Sequence, residues 1–395
     1  MSEFRTIREL CSVVVDCPHS TPKWTANGKI VIRNKNIKHG KIDFSSPSYT
    51  DDEHFAQRIK RAKPQPGDII ITREAPIGDV GMIPENTECC LGQRMVLLRA
   101  NQSVCDNFYL LYSLQSLYVQ HQISWSEGTG TTVSNLRIPH LEQIQIPYLP
   151  LEQQAKISSV LRALEEKIEN NRRLNDNLEQ QAQSYFQELF VDNADPEWTT
   201  GTISDLGAVV GGSTPSKAKP EYYTESGIAW ITPKDLSINK SKFVSHGEND
   251  ITELGLKNSS AAIMPEGTVL FSSRAPIGYI AIAAGEVTTN QGFKSVVPKP
   301  EIGTPFVYFF LKNTLPVIEG MASGSTFKEV SGSTMKNFPA VIPDAETLAK
   351  FSDFCAPIFA QQRILEEQNQ SLATLRDNLL PKLMSGEIDV SAVQL

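Results

Sequence analysis

The chain has 395 residues, 40% of them apolar and 21% charged, with a formal net charge of −8. This is the composition of a globular protein too long for one ordinary core, so two or three domains are expected. No window holds 18 apolar residues in a row, and the start (MSEFRTIREL) lacks the apolar run of a secretory signal, so no membrane association and a cytoplasmic location are expected.

The acid excess argues at first against nucleic acid, but its distribution matters. Residues 151–192 and 344–395 hold 9 Lys/Arg against 16 Asp/Glu, whereas 1–150 and 193–343 hold 28 against 29. The acidity therefore sits in two stretches and leaves the rest free to carry local basic faces. Six cysteines (Cys11, Cys17, Cys89, Cys90, Cys105, Cys355) lack CxxC spacing and read as reduced thiols, neither staples nor metal ligands.

Taken in order, the chain passes through one pattern twice. Thr6-Ile7-Arg8-Glu9-Leu10 is answered by Thr202-Ile203-Ser204-Asp205-Leu206, and His19-Ser20-Thr21-Pro22 by Gly212-Ser213-Thr214-Pro215. Residues 28–37 (GKIVIRNKNI) line up with 227–236 (GIAWITPKDL), and 67–81 (GDIIITREAPIGDVG) with 267–281 (GTVLFSSRAPIGYIA). Gln93 is answered by Gln291, and Gly130-Thr131-Thr132 by Gly324-Ser325-Thr326. The offset drifts between about 193 and 200, as insertions in loops would cause. One short identity could be chance; six matches in the same order could not.

Each repeat reads as strand-rich. Apolar runs at 68–71 and 269–271 follow Gly turns, and 80–83 and 279–284 are expected as their hairpin partners beyond the shared Ala-Pro-Ile-Gly. Strands are also expected at 95–98 and 295–297, and short helices around 105–123 and 304–321. Pro147 with Pro150, and Pro339 with Pro343, then lead into two long helices.

The first long helix, 151–190, contains no Gly or Pro. Its residues Ile157, Leu161, Leu164, Ile168, Asn171, Asn175, Leu178, Ala182, Tyr185 and Leu189 step alternately by 4 and 3, which is a coiled-coil seam. A second seam is read at Phe351, Phe354, Ile358, Gln361, Leu365, Gln368, Leu372, Leu375 and Leu379. Polar members in the middle of each seam fix register and partner, so the two helices are expected to pair; separate docking on their own domains is the alternative. Pro357 predicts a break, with a short helix from about Asp344 and the main one from Pro357, and Pro381 predicts a bend or end near Lys382-Leu383-Met384. The fold class is thus α/β (α+β), arranged as domain 1–150, helix 151–192, domain 193–343, helix 344–395.

Catalytic signatures are missing. There is no GxxxxGK[ST] loop, no HExxH and no Asn-Pro-Pro-aromatic or Asp-Pro-Pro-aromatic tetrapeptide, and the six His residues are scattered. Glu165-Glu166-Lys167 has the Glu-x-Lys spacing of nucleases but lies on the long helix and reads as a solvated cluster. No catalytic residue, metal site or cofactor is assigned, and the chain is expected not to be an enzyme. The loops that open each repeat carry contact chemistry instead: His19, Ser20, Thr21, Lys23, Arg33, Asn34 and Lys35 in the first, Ser213, Thr214, Lys217, Lys219 and Lys234 in the second. Arg73, Arg94 and Thr131, and Arg274, Lys294 and Lys328, join them. Hydroxyls and Lys suit phosphate oxygens, while Arg and Asn read base edges through paired hydrogen bonds. Each alone could be an ordinary surface residue; as two matching sets they favour a duplicated ligand surface.

The whole chain resembles the specificity subunits of type I restriction–modification systems. The resemblance is carried by 164–192 (LEEKIENNRRLNDNLEQQAQSYFQELFVD) and 379–390 (LLPKLMSGEIDV), with Gly324-Ser325-Thr326 and the opening His19-Ser20-Thr21-Pro22. It departs at the second helix start, where Pro343-Asp344-Ala345-Glu346-Thr347-Leu348 lacks the Glu152-Gln153 of the first. The resemblance implies two target-recognition domains joined by two long antiparallel helices in a pseudo-two-fold repeat. It also implies double-stranded DNA and two methyltransferase (modification) subunits as partners, restriction (nuclease/translocase) subunits as optional ones, and adenine methylation directed to a bipartite, asymmetric site. A 40-residue helix spans about 60 Å, against roughly 34 Å for one turn of DNA, so two half-sites with an untouched gap fit such a spacer. The rival reading is a coiled-coil protein–protein adaptor, which leaves the cationic loops unexplained.

Overall fold

The computed structural model describes residues 3–38, 40–125, 135–324 and 328–393. Two compact units divide the chain, the first built from Met1–Ile168 and Ser371–Leu395, the second from Glu169–Gln370. Each long helix is shared out between them.

The first unit is organised on a four-stranded antiparallel sheet in the order Cys11–Asp16, Met95–Ala100, Ile69–Arg73, Ile77–Met82. Alternation along the strands explains why it is buried on both faces. Ile69, Ile71, Val96 and Leu98 join a core with the helices Asn107–Gln115 and Leu117–Trp125, while Ile70, Met95 and Leu97 join a second core on the opposite face. A fully buried Ile or Leu contributes roughly 1.5–3 kcal/mol, so one run of three isoleucines ties two layers together.

The second unit repeats this plan with one strand more. Gly207–Gly211, Lys294–Pro298, Val269–Ser273 and Ile277–Ala283 are antiparallel neighbours, and Phe243–Val244 adds a parallel edge. Val269, Phe271, Ile282 and Val296 face the helix Thr304–Gly320, and Leu270, Ala281 and Ala283 face the other core. The expected hairpins and helices thus form in both repeats. Local details repeat as well. Glu9 accepts from the Thr6 backbone N–H at 2.7 Å and Asp205 from that of Thr202 at 2.8 Å, capping the one-turn helices Ile7–Leu10 and Ile203–Leu206. Gly67 and Gly267 both take left-handed φ near 84°, which a side chain would resist, and both donate across the hairpin at 2.9 Å.

The helix Leu151–Gln187 continues into a wide turn at Glu188–Asp192. Half of its expected seam is buried, Ile157, Leu161 and Ile168 in the first unit and Asn171 and Ala182 in the second, while near its end Phe186, 2% exposed, is buried in place of the half-buried Tyr185. The second helix differs from expectation in two ways. It runs unbroken over Ala345–Met384, through Pro357, starting where Asp344 accepts from the Thr347 N–H at 2.9 Å. Proline forfeits one hydrogen bond, but Pro357 is exposed, and buried Phe351, Cys355, Ile358 and Phe359 hold the helix on either side of it. The seam also takes the alternative spacing. Phe351, Ile358 and Leu365 are buried as read, but between them lie Cys355 and Gln362, each at most 1% exposed, whereas Phe354 and Gln361 face outward.

In the second unit the helices run antiparallel: Asn171 donates to Gln368 at 3.3 Å, Asn175 to Glu366 at 3.4 Å, and Gln362 to Glu179 at 3.3 Å. Beside this seam Lys242 is buried with its ammonium 2.5 Å from Glu179, donating to Gln362 at 2.7 Å and lying 3.7 Å from the Phe359 ring centroid. Burial pushes Glu179 up, but Lys242 and Lys312 outweigh it and hold the carboxyl at about 2. Burial draws the Lys242 ammonium down to about 8 against the pull of Glu179.

Candidate nucleic-acid interface

Both units carry a cleft at the same place in the repeat. In the first, Pro22, Trp24, Ala75 and residues 33–35 and 92–94 enclose about 250 Å³. In the second, Thr214, Lys217, Arg274, Ala275 and residues 232–234 and 290–292 line a cleft of about 640 Å³, with Tyr223, Trp230, Glu248 and Asn249 at its margins. The alignment read from sequence pairs Lys35 with Lys234, Ala75 with Ala275 and Gln93 with Gln291. Backbone bonds support that register: Arg73 N–H donates to the Arg94 carbonyl at 2.8 Å, and Ser273 N–H to that of Gly292 at 2.7 Å.

Short capped turns present the central residues. In the first unit the Arg33 N–H donates to buried Asn36 Oδ1 at 3.0 Å, starting the one-turn helix Asn34–Asn36 directly after the strand Lys29–Ile32. In the second the Thr232 N–H donates to Asp235 Oδ2 at 2.7 Å and starts the helix Pro233–Ile238 after Trp230–Ile231. Side chains at 33–35 and 232–234 are thereby held at the cleft by buried strands behind them.

Each cleft is lined by three cations: Arg33, Lys35 and Arg94 in one, Lys217, Lys234 and Arg274 in the other. Arg33 lies 5.0 Å from the centroid of the exposed Trp24 ring, and Lys35 reaches Ser46 Oγ at 3.2 Å. Arg94 Nε is 3.3 Å from Glu74, while Lys234 pairs with Glu248 at 2.5 Å and Arg274 with Glu329 at 3.6 Å. The Lys234 pair is exposed and the two arginine pairs are half-buried, all open enough to solvent to be exchanged for other anions.

The remaining sequence-selected residues divide. Asn34 lines the first cleft but donates to the Glu74 carbonyl at 2.6 Å. Thr214 donates to Gln291 inside the second cleft. His19, Ser20, Thr21 and Lys23 lie exposed on the adjoining loop, His19 3.0 Å from Asp16 and Lys23 3.3 Å from Asp51. Ser213, half-buried, accepts from the Ser260 N–H at 3.3 Å, and Lys219 lies 3.6 Å from Glu221. Lys294 is largely buried 3.5 Å from Glu329, and Lys328 is exposed. Arg73 is taken up internally: its guanidinium pairs with Asp16 at 2.9 and 3.0 Å and donates to Asn135 and the Leu136 carbonyl. Thr131 and most of the hydroxyl-rich loops around it and around 325–327 lie outside the described residues.

Sequence reading missed one residue that shapes the first cleft. Arg58, 5% exposed on the helix Asp52–Arg58, donates to four backbone carbonyls: Pro18, Ser20, Leu91 and Gly92, at 2.6–3.1 Å. It ties the loop bearing His19 to the strand end bearing Gln93. Nothing in local sequence distinguishes it from a solvated arginine.

Residues 3–180 and 196–375 each match the family model of the type I restriction modification DNA specificity domain. The chain belongs to that family. It is 39% identical over 191 residues to the MjaIX type I restriction enzyme specificity subunit of Methanocaldococcus jannaschii, a match covering 46% of this chain and 44% of that one. It is 21% identical over 411 residues to the putative MjaX specificity subunit of the same organism, covering 98% and 94%. The chain thus spans under half of the first relative and nearly all of the second. The fold matches the crystal structure of the type I restriction-modification S subunit from M. genitalium with a TM-score of 0.60 at 18% identity, covering 97% and 96% of the two chains. Each copy of the specificity domain contains one of the two clefts. Among the described residues no helix is long and apolar enough to cross a membrane.

Proposed function

We propose that this chain is the DNA-reading specificity subunit of a type I restriction–modification complex, with each cleft reading one half of a bipartite site. The observation that carries the reading is the matched pair of three-cation clefts, one in each copy of the specificity domain. Lys and Arg neutralise phosphates, and Arg, Asn and Gln read base edges. Because the two clefts differ in lining, the half-sites differ and the site is asymmetric. The chain itself supplies recognition and no catalytic group. Adenine methylation falls to two modification subunits and cleavage to restriction subunits where these join, all in the cytoplasm. In this reading 1–150 and 193–343 are the target-recognition domains and 151–192 and 344–395 the spacer helices. Relatives named as specificity subunits of type I restriction enzymes support it.

The test is co-expression with the cognate methyltransferase subunit, followed by genome-wide mapping of methylated adenines. A split motif that vanishes when this chain is omitted is expected. A folded complex that methylates no defined motif would overturn the proposal and favour a protein–protein adaptor.

A further inference from the structure

We infer that Arg94 and Arg274 are the specificity-determining guanidiniums of the two clefts, each reading a guanine, while Lys35 and Lys234 hold backbone phosphate. This rests on the DNA-reading function proposed above. A duplex offers two kinds of group: phosphates, which are alike at every site, and base edges, which are not. Positions that the two clefts share suit the first kind, and Lys35 with Lys234 is the shared cation. Positions that differ suit the second. Where the first cleft has Arg94, the second has Gly292; where the second has Arg274, the first has Glu74. Each cleft therefore holds a guanidinium with no counterpart in the other, at a different point along its wall.

Two further observations select these arginines. Arg94 has φ of 66°, a left-handed conformation uncommon outside glycine, and its side chain is 59% exposed. Packing does not explain an arginine there, and glycine would adopt that backbone with less cost. Each guanidinium also lies beside a carboxylate, Arg94 with Nε 3.3 Å from Glu74 and Arg274 with a terminal nitrogen 3.6 Å from Glu329. A guanidinium carries five N–H donors, so a pairing this loose orients the group and leaves two adjacent donors for a paired contact with guanine O6 and N7. Arg33 differs between the clefts too, but it lies over the Trp24 ring. Arg73 is closed off by Asp16.

The experiment uses the full chain in complex with its methyltransferase subunits and compares methylated motifs for wild type, Arg94→Gly, Arg274→Gln and Lys35→Ala. Arg94→Gly relieves the backbone, so folding is expected to be unharmed and thermal melting confirms it. Arg94→Gly is expected to relax one guanine in one half-site by about ten- to a hundredfold, and Arg274→Gln one guanine in the other half-site. Lys35→Ala is expected to weaken binding to all sequences alike and to lower the salt slope by about one. Arginine variants that leave both half-sites unchanged, or loosen every position equally, would overturn the assignment. A wild-type complex without any split motif would instead overturn the DNA-reading function itself.

Discussion

Asn171 Nδ2 lies 3.3 Å from Gln368 Oε1, one polar rung in the helix seam of the second unit. Asn171 is 1% exposed, whereas Gln368 faces solvent on its other side. Polar seam residues lower stability and select register. Asn171→Leu is therefore expected to raise the melting temperature by roughly 2–4 °C, corresponding to about 1 kcal/mol in a unit of this size. It should also broaden the transition or add oligomers as alternative registers open. A lower melting temperature in calorimetry would show that the rung stabilises the seam.

The buried Lys242–Glu179 pair sets an acid limit. The Glu179 carboxyl sits at about 2 when folded, against 4.5 ordinarily, so the stability it contributes is complete above about pH 4.5 and lost as pH falls toward 2. Lys242→Met leaves Glu179 with Lys312 as its one cationic partner beside the neutral donors Tyr308 and Gln362, and should cost about 3–5 kcal/mol at pH 7. The gap between variant and wild type should narrow between pH 4.5 and 2. Denaturant titrations across that range test both statements, and equal stability at pH 7 would refute the first.

All six cysteines are buried and free. Burial pushes Cys11, Cys89 and Cys355 up to about 12 and Cys90 to about 11, and raises Cys17 and Cys105 as well. No thiol should react rapidly with a disulfide reagent in the folded protein at pH 8, and six should react in denaturant. The raised thiols give stability that is complete below about 9 and declines as pH climbs toward 12. The denaturation midpoint should therefore fall between pH 8 and 10.5.

Arg58→Met should remove the donor from four carbonyls and destabilise the first unit by about 2–3 kcal/mol, mostly by leaving buried acceptors unpaired. Hydrogen exchange should accelerate at 18–22 and 91–93 while the second unit is unchanged. Unaltered exchange at 18–22 would mean that the loop is held by other contacts.

The repeat made the correspondence between the two sets of loop residues legible. Lys35 with Lys234 and Gln93 with Gln291 were paired by alignment alone, because register along a duplicated chain is a property of sequence. What could not be read was any role set by a distant partner. Arg73 was selected as a contact residue, but Asp16, 57 positions away, closes it off. Arg58 and Lys242 look like solvated cations in sequence and are buried in the fold. In the second helix, seams through 354, 361 and 368 or through 355, 362 and 369 share Phe351, Ile358 and Leu365. Apolar Phe354 favoured the first spacing, yet the fold buries Cys355 and leaves Phe354 39% exposed. Pro357 predicted a break from local hydrogen bonding; the aromatic core around Phe351 and Phe359 overrode it.

The two units differ in how the gene encodes them. The second is one uninterrupted stretch, Glu169–Gln370, bounded on both sides by residues in long helices. Two crossovers in the coding sequence, each within helical code, would exchange its cleft, sheet and half of the helix seam as one cassette. The incoming polar rungs, Asn171 and Gln368 among them, would arrive together and already matched. Replacing the first unit instead demands matched changes in two separate segments, 1–168 and 371–395, whose helical parts must still fit each other.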